Sequence, residues 1–364
     1  MKKIISMIFG VIILSSFLVT GANAKTLKCQ TVLNTKADEV KMLKDFTDTV
    51  TTLTGGSLKF EILPAGAVVG VKETLDAVDK GLIDCGFAWT HYWSGDHPAA
   101  MLFGSPVAGA GVGIDNIAFL SWFQYGGGKE LYDQLWKEMG RDIKGFMIQP
   151  VGPEALGWFP KPIKTMADFR KYKFRTPPGI PGQTYKDIGV ASVAMGGGDI
   201  LPALEAGTID AAEWCCPKPD MVFGFQKVLK HYYLQGLHQV VVNADFYITG
   251  KTYKAMSAHE KKSLEVAANA SLAKSLSYRI YENGKALKEL TEVHGVKLED
   301  TPSDYFTEYM AAAKKSLETN AAKNAFFKKV WDSMKEFADI AVPFWAGAQT
   351  SNAKLGMAHA NTLK

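Results

Sequence analysis

The chain has 364 residues, a formal net charge of +4, and 47% hydrophobic and 21% charged residues. The small net charge, with no basic stretch mixed with aromatic residues, excludes the usual signature of a nucleic-acid groove, so we expect no nucleic-acid partner. The four cysteines are too few and too scattered for a disulfide framework in a chain of this size. Stability is therefore expected to come from hydrophobic cores.

The N-terminus predicts export. Lys2 and Lys3 precede an apolar run from Ile4 to Val19, and small residues follow, which is the pattern of a secretory signal peptide cleaved after Ala24. The alternative is an uncleaved anchor, but an apolar run of about sixteen residues is short for a bilayer span. The mature chain has about 340 residues, a length typical of two domains. We predict a periplasmic protein.

Hydrophobic periodicity predicts a β-α-β unit at the start of the mature chain. Its elements are a strand at Thr26–Leu33, a helix at Ala37–Leu53 and a strand at Leu58–Leu63. Further along, a helix at Gly128–Met139 precedes a strand at Ile143–Gln149. These elements predict a first α/β lobe.

One pattern occurs twice, at Glu73–Gly86 and at Asp199–Ala212. Each copy predicts a short amphipathic helix, a glycine after its C-terminus, and a strand. We expect the repeated Asp84 and Asp210 to brace the turn between helix and strand without contacting a ligand. The identical pairs are Leu75/Leu201, Ala77/Ala203, Gly81/Gly207, Ile83/Ile209 and Asp84/Asp210.

The last third of the chain is mainly helical. A strand at Val240–Ile248 is predicted to return to the first lobe, and long helices are predicted at Ala255–Asn283 and at Asn320–Ala341, the second ending before Pro343. We expect these helices to pack on the lobes, and a homodimer formed through them is an open alternative.

The two copies differ beyond their strands, where the first continues into aromatic residues and the second into a charged segment. Two similar lobes with different strand ends predict a cleft between them. Trp89, Tyr92, Trp93 and Trp214 could line a small pocket there, although large aromatics near strand ends are more often core residues. Cys215 and Cys216 are either two buried thiols or a vicinal disulfide.

Arg175 ends a predicted strand, Tyr172–Arg175, and a Thr-Pro-Pro-Gly turn follows it. Open α/β sheets bind ligands at the carboxyl ends of their strands, and a guanidinium group binds a carboxylate through two hydrogen bonds. This position therefore predicts a binding site for an organic acid. The alternative is that Arg175 forms a salt bridge between the lobes or lies on the surface.

Glu213 and Glu154 are candidate cation ligands. A carboxylate at a strand end, such as Glu213, needs a cation or a hydrogen-bond donor facing it, and a structural salt bridge would serve equally. Glu154 could supply a second oxygen, or it could lie exposed on a loop. With no histidine nearby in the sequence, oxygen ligands favour sodium or calcium over a transition metal.

The sequence lacks the usual motifs for other cofactors and for common enzymatic reactions. The glycine clusters do not have the spacing of a phosphate-binding loop, so we expect no nucleotide. Hydrolase and zinc-helix motifs are also missing from the sequence, and we expect no enzymatic activity.

Four segments together resemble the periplasmic solute-binding subunits of TRAP transporters, the DctP-type family. The segments are Thr54–Gly66, Gly157–Ile163, Lys173–Thr176 and Gly197–Trp214. The resemblance is greatest to the branch that binds 2-oxoacids or lactate with a bridging metal ion. It implies an α/β, two-lobed periplasmic binding protein fold with crossing strands, a long lobe-spanning helix and C-terminal helices.

The domain organisation that follows has four parts. Residues 1–24 form the signal peptide, residues 25–148 with about 240–275 form lobe 1, and residues 149–239 form lobe 2. Residues 276–364 form C-terminal helices that pack on the lobes.

The resemblance also implies roles for individual residues. Arg175 matches the arginine that binds the ligand carboxylate, while Glu213 and the backbone of Trp214 match metal-binding positions. Trp89 and Tyr92 fall in the aromatic stretch that lines the pocket.

The chain departs from the family pattern at three single positions and in the Cys-Cys-Pro-Lys-Pro run that follows Trp214. The usual glutamine metal ligand is replaced by Glu154, and a polar residue expected shortly before it is replaced by Pro150. Gln239 stands where relatives have an acidic residue.

These residues predict a receptor for a small organic monocarboxylate, with a 2-oxo or 2-hydroxy oxygen, that delivers it to the membrane permease subunits of a TRAP transporter. A sodium or calcium ion would bridge the acid to Glu213. A periplasmic enzyme that uses Glu154 and Glu213 as an acid/base pair is one alternative. A ligand sensor that docks on a signalling partner is another.

Overall fold

The computed structural model describes residues 24–362 of the chain. The predicted signal peptide, apart from Ala24, lies outside the described residues. Among residues 24–362, no helix combines the length and the apolar character needed to cross a membrane.

Eleven strands are found in the described part of the chain, and they form two sheets. They are β1 (Lys25–Thr31), β2 (Leu58–Leu63), β3 (Cys85–Trp89), β4 (Ile143–Pro150), β5 (Gly157–Phe159), β6 (Lys173–Thr176), β7 (Ala191–Ala194), β8 (Ala211–Ala212), β9 (His231–Tyr233), β10 (Asn243–Thr249) and β11 (Lys297–Glu299). The first sheet has the order β2-β1-β3-β10-β4, and the second has the order β11-β9-β5-β8-β6-β7.

Thirteen α-helices lie within residues 24–362. They are α1 (Asp38–Leu53), α2 (Thr74–Asp79), α3 (Ala100–Gly104), α4 (Asn116–Tyr125), α5 (Gly128–Glu138), α6 (Met166–Phe169), α7 (Ile180–Asp187), α8 (Gly197–Glu205), α9 (Pro217–Phe223), α10 (Gly250–Ala255), α11 (Ala258–Glu292), α12 (Ser303–Lys323) and α13 (Ala325–Thr362). Short 3-10 turns lie at Val71–Glu73, Thr90–Trp93, Val107–Gly111 and Phe225–Lys227.

The first sheet combines early and late parts of the chain. β1 pairs in parallel with β2 and β3, and β10 lies antiparallel between β3 and β4. The prediction that a late strand returns to the first lobe is therefore confirmed. A disulfide joins Cys29 of β1 to Cys85 of β3, which the sequence did not predict because the two cysteines become neighbours only when these strands pair.

The second sheet is mixed. β6 pairs in parallel with β7 and β8, while β5 lies antiparallel to β8 and β9. β11, from the predicted C-terminal helical region, joins its edge beside β9. Two separate sheets with flanking helices confirm the predicted two-lobed α/β fold class, whereas the boundaries assigned to each domain stay a prediction.

The long helix α11 contacts both halves of the molecule. Its N-terminus has a capping box, in which Ser257 and Glu260 each bond the other's backbone N–H. Near its middle, the Ser275 hydroxyl donates to the backbone carbonyl of Pro150 in β4. Further along, the Asn283 side chain accepts a hydrogen bond from the backbone N–H of Lys218 in α9. The predicted lobe-spanning helix is therefore confirmed.

The prediction of one helix at Asn320–Ala341 is wrong at both ends. α12 ends before Asn324, whose side chain accepts a 2.8 Å hydrogen bond from Phe327 N–H and so caps the start of α13. α13 then continues through Pro343. A proline leaves the carbonyl four residues earlier without its donor, but that residue, Asp339, is exposed, so water can replace the missing bond.

The repeated glycines serve the same purpose in both copies. Gly81 and Gly207 follow α2 and α8 with backbone φ angles of 71° and 68°. This left-handed region is strained for residues that have a Cβ atom. Each glycine therefore lets its helix end and turn into the next strand, as the sequence predicts.

The repeated aspartates brace neighbouring strands. Asp84 Oδ2 accepts a hydrogen bond from the backbone N–H of Lys28, at the start of the β1–β3 pairing, and the Asp84 N–H donates back to the Lys28 carbonyl. Asp210 makes the same two bonds with Lys173 of β6. The predicted bracing role is confirmed in both copies.

Candidate functional site

A cavity of about 350 Å³ lies where segments that follow strands of both sheets meet. Its volume is within the range of small-molecule sites. Six of the seven predicted site residues line it, namely Trp89, Tyr92, Glu154, Arg175, Trp214 and Gln239. The seventh, Glu213, is fully buried behind the lining.

The aromatic part of the wall comes from the end of β3 and the turn that follows. The ring centroids of Trp89 and Tyr92 are 5.3 Å apart, and both residues line the cavity. Both Trp89 and Trp93, four residues later, are packed in the hydrophobic core, but Trp93 does not line the cavity. Of these three candidates, Trp89 and Tyr92 therefore line the cavity and Trp93 does not.

The second lobe contributes an ion pair between Arg175 and Glu213. β6 and β8 pair with Arg175 opposite Ala212, so Glu213 follows directly beside the guanidinium group. Arg175 Nη1 lies 2.5 Å from Glu213 Oε1 and also donates to the Glu213 backbone carbonyl. The guanidinium carbon lies 5.0 Å from the centroid of the Trp214 ring, a cation–π contact.

Most donors of Arg175 are already used. Its Nε and Nη2 donate to the backbone carbonyl of Met195, at 3.2 and 2.8 Å. With the two bonds from Nη1, these account for four of the five guanidinium N–H groups among the described contacts. Arg175 is thus held by protein groups and presents one remaining Nη2 proton. Its role toward a ligand carboxylate stays a prediction.

Glu154 lies in the loop between β4 and β5 and is buried, so the alternative of an exposed loop carboxylate is wrong. Its backbone N–H donates to the carbonyl of Gln239, which fixes the loop against the segment before β10. Burial, and next the Glu213 carboxylate, raise the pKa of the Glu154 carboxyl well above its usual range. Without a cation nearby, this carboxyl tends to keep its proton.

His238 is a site residue that the sequence reasoning missed. Its Nε2 lies 3.4 Å from Glu213 Oε2 and 3.8 Å from Glu154 Oε2, and the side chain is fully buried. The fold therefore brings a histidine to both carboxylates although none lies near them in the sequence. A signal existed, because His238 directly precedes Gln239, which was already a candidate.

The remaining candidates have structural partners. The Gln239 amide Nε2 donates to the Ser105 hydroxyl at 3.0 Å, which orients the side chain at the cavity wall. Cys215 and Cys216 are buried and not bonded to each other, with their sulfur atoms 2.8 Å apart, so the prediction of two buried thiols is confirmed. Cys215 N–H donates to the Asp220 carboxylate, which holds the backbone just after Trp214.

The side chains can accommodate a cation. Glu154 Oε2, Glu213 Oε2 and His238 Nε2 lack hydrogen-bond partners within the described chain, and all three atoms lie within 4.8 Å of one another. Two carboxylate oxygens fit a calcium or sodium ion. The histidine nitrogen is an additional donor of a different kind.

Comparisons with known proteins agree with the geometry. The model of a family described as DctP, bacterial extracellular solute-binding protein, family 7, matches residues 30–324. The monocarboxylate 2-oxoacid-binding periplasmic protein of Nostoc sp. is 30% identical over 292 residues, which cover 79% of this chain and 77% of that protein.

Two crystal structures are similar over nearly their whole length. A TRAP transporter solute binding protein from Bordetella bronchiseptica, a dimer with copurified calcium and picolinate, matches with a TM-score of 0.85 at 25% identity, over 94% of this chain and 99% of that one. A TRAP periplasmic solute binding protein from Pseudoalteromonas atlantica, with bound sodium and pyruvate, has a TM-score of 0.83 at 25% identity, over 91% and 99%.

Proposed function

The chain belongs to family 7 of the bacterial extracellular solute-binding proteins, the DctP family. We propose that it binds a small organic monocarboxylate in the periplasm. We further propose that it delivers this acid to TRAP membrane permease subunits. The acid would carry a 2-oxo or 2-hydroxy oxygen. The names of the relatives support this class, since one binds monocarboxylate 2-oxoacids and another holds pyruvate.

The observation that carries the proposal is a buried arginine in the wall of a cavity of about 350 Å³. One Nη2 proton of Arg175 remains for the carboxylate of the ligand. Trp89 and Tyr92 supply aromatic surface in the same cavity. A small acid with a short tail fits this combination of one fixed charge and flat aromatic surface.

The charges around Arg175 explain why the acid would need a cation. Glu213 already balances the guanidinium charge at 2.5 Å, so the protein alone offers an incoming carboxylate no net positive charge. Burying the carboxylate of the ligand as well, beside Glu154 and Glu213, without compensation would be costly. A metal ion between these side chains, with Trp214 and Gln239 as further ligands, would supply the missing charge.

Ligand binding would favour a closed arrangement of the two lobes. The residues that follow β3 and those that follow β6 and β8 both line the cavity. An acid that contacts both sets stabilises whichever arrangement brings them together.

A thermal-shift screen of 2-oxo and 2-hydroxy acids, with calcium, with sodium or with chelator, tests the proposal. A ligand at 100 times its Kd stabilises the folded state by about 2.7 kcal/mol, and we expect this shift only when a cation is present. Arg175→Lys should weaken the identified acid strongly, because lysine lacks the planar donors. Arg170→Lys, a surface arginine paired with Glu308, is the matched control. Unchanged affinity in Arg175→Lys would refute the arginine assignment.

The enzyme alternative rests on the raised pKa of Glu154 beside Glu213, which would suit an acid/base pair. We propose that the chain is a receptor and not an enzyme, in keeping with its family. The acid identified by the screen is incubated with the protein and analysed by mass spectrometry. Recovery of the intact acid is expected, and turnover would exclude the receptor role.

We further propose a homodimer formed through the C-terminal helices. Ile340, Phe344, Leu355 and Met357 of α13 are each more than 60% exposed, and the similar Bordetella protein is a dimer. Large apolar side chains exposed on one helix are candidates for a protein interface. Light scattering should give twice the monomer mass, and Phe344→Glu with Leu355→Glu should give the monomer mass. A monomeric wild type would exclude the dimer.

A further inference from the structure

We propose that Cys215 and Cys216 form a reversible redox site in the wall of the cavity. Oxidation joins the two thiols in a vicinal disulfide, and this bond weakens the binding of the acid. The formation of the bond is independent of the proposed function, whereas its effect on binding rests on that function. Two adjacent buried thiols, one of which lines the cavity, carry the inference.

The two sulfur atoms are already in close contact. The Sγ atoms of Cys215 and Cys216 lie 2.8 Å apart and are not bonded. Carbon atoms pack best at about 3.5–4.0 Å, and sulfur is larger, so this separation is short for two thiols. A disulfide has an S–S length of about 2.05 Å. A small movement of the side chains therefore separates the thiol pair from the bond.

The pair can be reached from one side. Cys215 lines the cavity, whereas Cys216 is not one of its lining residues. Each residue is only 4% exposed. A small oxidant such as a peroxide can therefore reach Cys215 through the cavity, whereas another folded protein cannot. An acid bound in the cavity would block this path.

The reaction balances with a peroxide as the oxidant. The Cys215 sulfur attacks one oxygen of hydrogen peroxide and becomes a sulfenic acid, while the other oxygen leaves as water with the thiol proton. The Cys216 sulfur then displaces the hydroxyl group, which leaves as a second water with the Cys216 proton. Two thiols are oxidised to one disulfide, and one peroxide is reduced to two waters.

The oxidation is slow at neutral pH. The hydrogen bond with Cys216 and burial raise the pKa of the Cys215 thiol well above its usual range. Among the charged groups around it, Glu154 raises that pKa further and Arg279 of α11 opposes the rise. Because the thiolate is the nucleophile, only a small fraction of Cys215 reacts at any moment. The pair therefore responds to sustained exposure to a peroxide.

The bond should be easy to reduce. The chain holds a Cys29–Cys85 disulfide, and such bonds persist in oxidising compartments. Adjacent Cα atoms are about 3.8 Å apart across a trans peptide bond, closer than the roughly 4.4–6.8 Å usual for a disulfide. A disulfide between neighbouring residues is therefore strained, and strained disulfides are the labile ones. Cys29–Cys85 joins two paired strands and has no such constraint.

The bond would disturb the backbone beside two cavity residues. The Cys215 N–H donates to Asp220 Oδ1 at 2.9 Å, and the Cys215 carbonyl accepts from the Ala155 N–H at 2.7 Å. These bonds hold the residues that directly follow Trp214 and Glu154, which both line the cavity. Closing the small ring changes the backbone dihedral angles between the two cysteines. Loss of such supporting bonds typically weakens a site by about 10-fold or more.

Mass spectrometry of the full mature chain, treated with hydrogen peroxide, tests whether the bond forms. We expect the peptide that contains Cys215 and Cys216 to lose two hydrogen atoms and to resist alkylation. Dithiothreitol should reopen this bond at a concentration that leaves Cys29–Cys85 intact. Pyruvate with calcium, the probe for an occupied cavity, should slow the oxidation.

Calorimetry with pyruvate and calcium measures the effect on binding. Oxidation should weaken pyruvate binding by about 10-fold, and dithiothreitol should restore it, which distinguishes the disulfide from oxidised methionines because those need a reductase. The variant Cys215→Ser with Cys216→Ser has the same methionines and should bind pyruvate equally before and after peroxide. If this variant does not fold, recovery of the wild type with dithiothreitol is the control.

Several outcomes would overturn the inference. They are the absence of a bond between Cys215 and Cys216, a bond that is no easier to reduce than Cys29–Cys85, and a bond that leaves pyruvate affinity unchanged. Failure of the proposed function would look different. The reduced protein would then bind neither pyruvate nor any acid of the thermal-shift screen, and the mass measurement would still show whether the redox site exists.

Discussion

The two copies of the repeated pattern have the same scaffold and different strand ends. In each, an aspartate binds the backbone of a neighbouring strand, Asp84 at Lys28 and Asp210 at Lys173. Beyond the first copy lies an aromatic wall, whereas beyond the second lies the buried Glu213. The two copies therefore have the same structural role in the fold, and they differ in the side chains that follow their strands at the cavity.

Each strand end also has a buried carboxyl group nearby, and these two groups differ in their partners. Glu213 meets the guanidinium of Arg175. Asp245 of β10, opposite Ala88 in β3, is surrounded by hydroxyl groups, those of Thr90, Tyr132 and Tyr247. Burial raises the pKa of Asp245, and the hydrogen bonds from the hydroxyls offset only part of that effect, so the neutral acid is the more stable form there. The stability of the second lobe should therefore depend on a buried ion pair, whereas the stability of the first lobe should not.

The largest loss of stability is expected from Glu213→Ala. Removal of one partner leaves Arg175 buried and unpaired, which typically costs about 3–5 kcal/mol of unfolding free energy. Glu308→Ala breaks the Arg170–Glu308 pair on the surface, where the cost is about 0–1 kcal/mol. Urea denaturation of both variants measures the difference. Equal losses would show that burial does not distinguish the two arginine–glutamate pairs.

The scaffold could largely be predicted from the sequence because its signals are local. The alternating residues of β2 gave that strand's bounds, Leu58–Leu63, and the glycine after each repeated helix predicted a left-handed turn that the structure has. The family resemblance, carried by short motifs, is also confirmed. Each of these features depends on residues within a few positions of one another.

The site could be predicted only in part because its geometry depends on strand pairing. Arg175 and Glu213 were both candidates, but their ion pair follows from the alignment of β6 with β8. His238 reaches them from a segment that no local pattern connects to either. The Cys29–Cys85 bond depends in the same way on the pairing of β1 with β3.

The next effect concerns pH and the neutral carboxyl group of the first lobe. Burial raises the pKa of Asp245 from its ordinary value of 3.8 to about 8. The folded chain then keeps a proton that the unfolded chain has lost, so the stability contribution is complete below about pH 4 and is lost as the pH rises through 8. Asp245→Asn should flatten the fall in melting temperature between pH 5 and pH 8.

Asp220→Asn in the second lobe is the matched control. Burial raises the pKa of Asp220 to about 7, so its own contribution is lost at a lower pH. Both variants should therefore flatten the profile below about pH 7, and only Asp245→Asn should flatten it between pH 7 and pH 8. If Asp245→Asn leaves the slope between pH 7 and pH 8 unchanged, Asp245 is ionised in the folded protein, and the two strand ends are electrostatically alike.

The smallest effects are expected from Asp84→Ala and Asp210→Ala, which test whether the copies are equivalent as scaffold. Each variant loses one bond between a carboxylate and a backbone N–H, worth about 0.5–1.5 kcal/mol where solvent competes. Asp84 is half-buried and also accepts from the Thr252 hydroxyl, whereas Asp210 is exposed, so Asp84→Ala should cost more. Because neither aspartate lines the cavity, ligand affinity measured by calorimetry should not change. If a variant lost ligand affinity but kept its stability, the repeated aspartate would be part of the binding site. The repeated pattern would then not be purely structural.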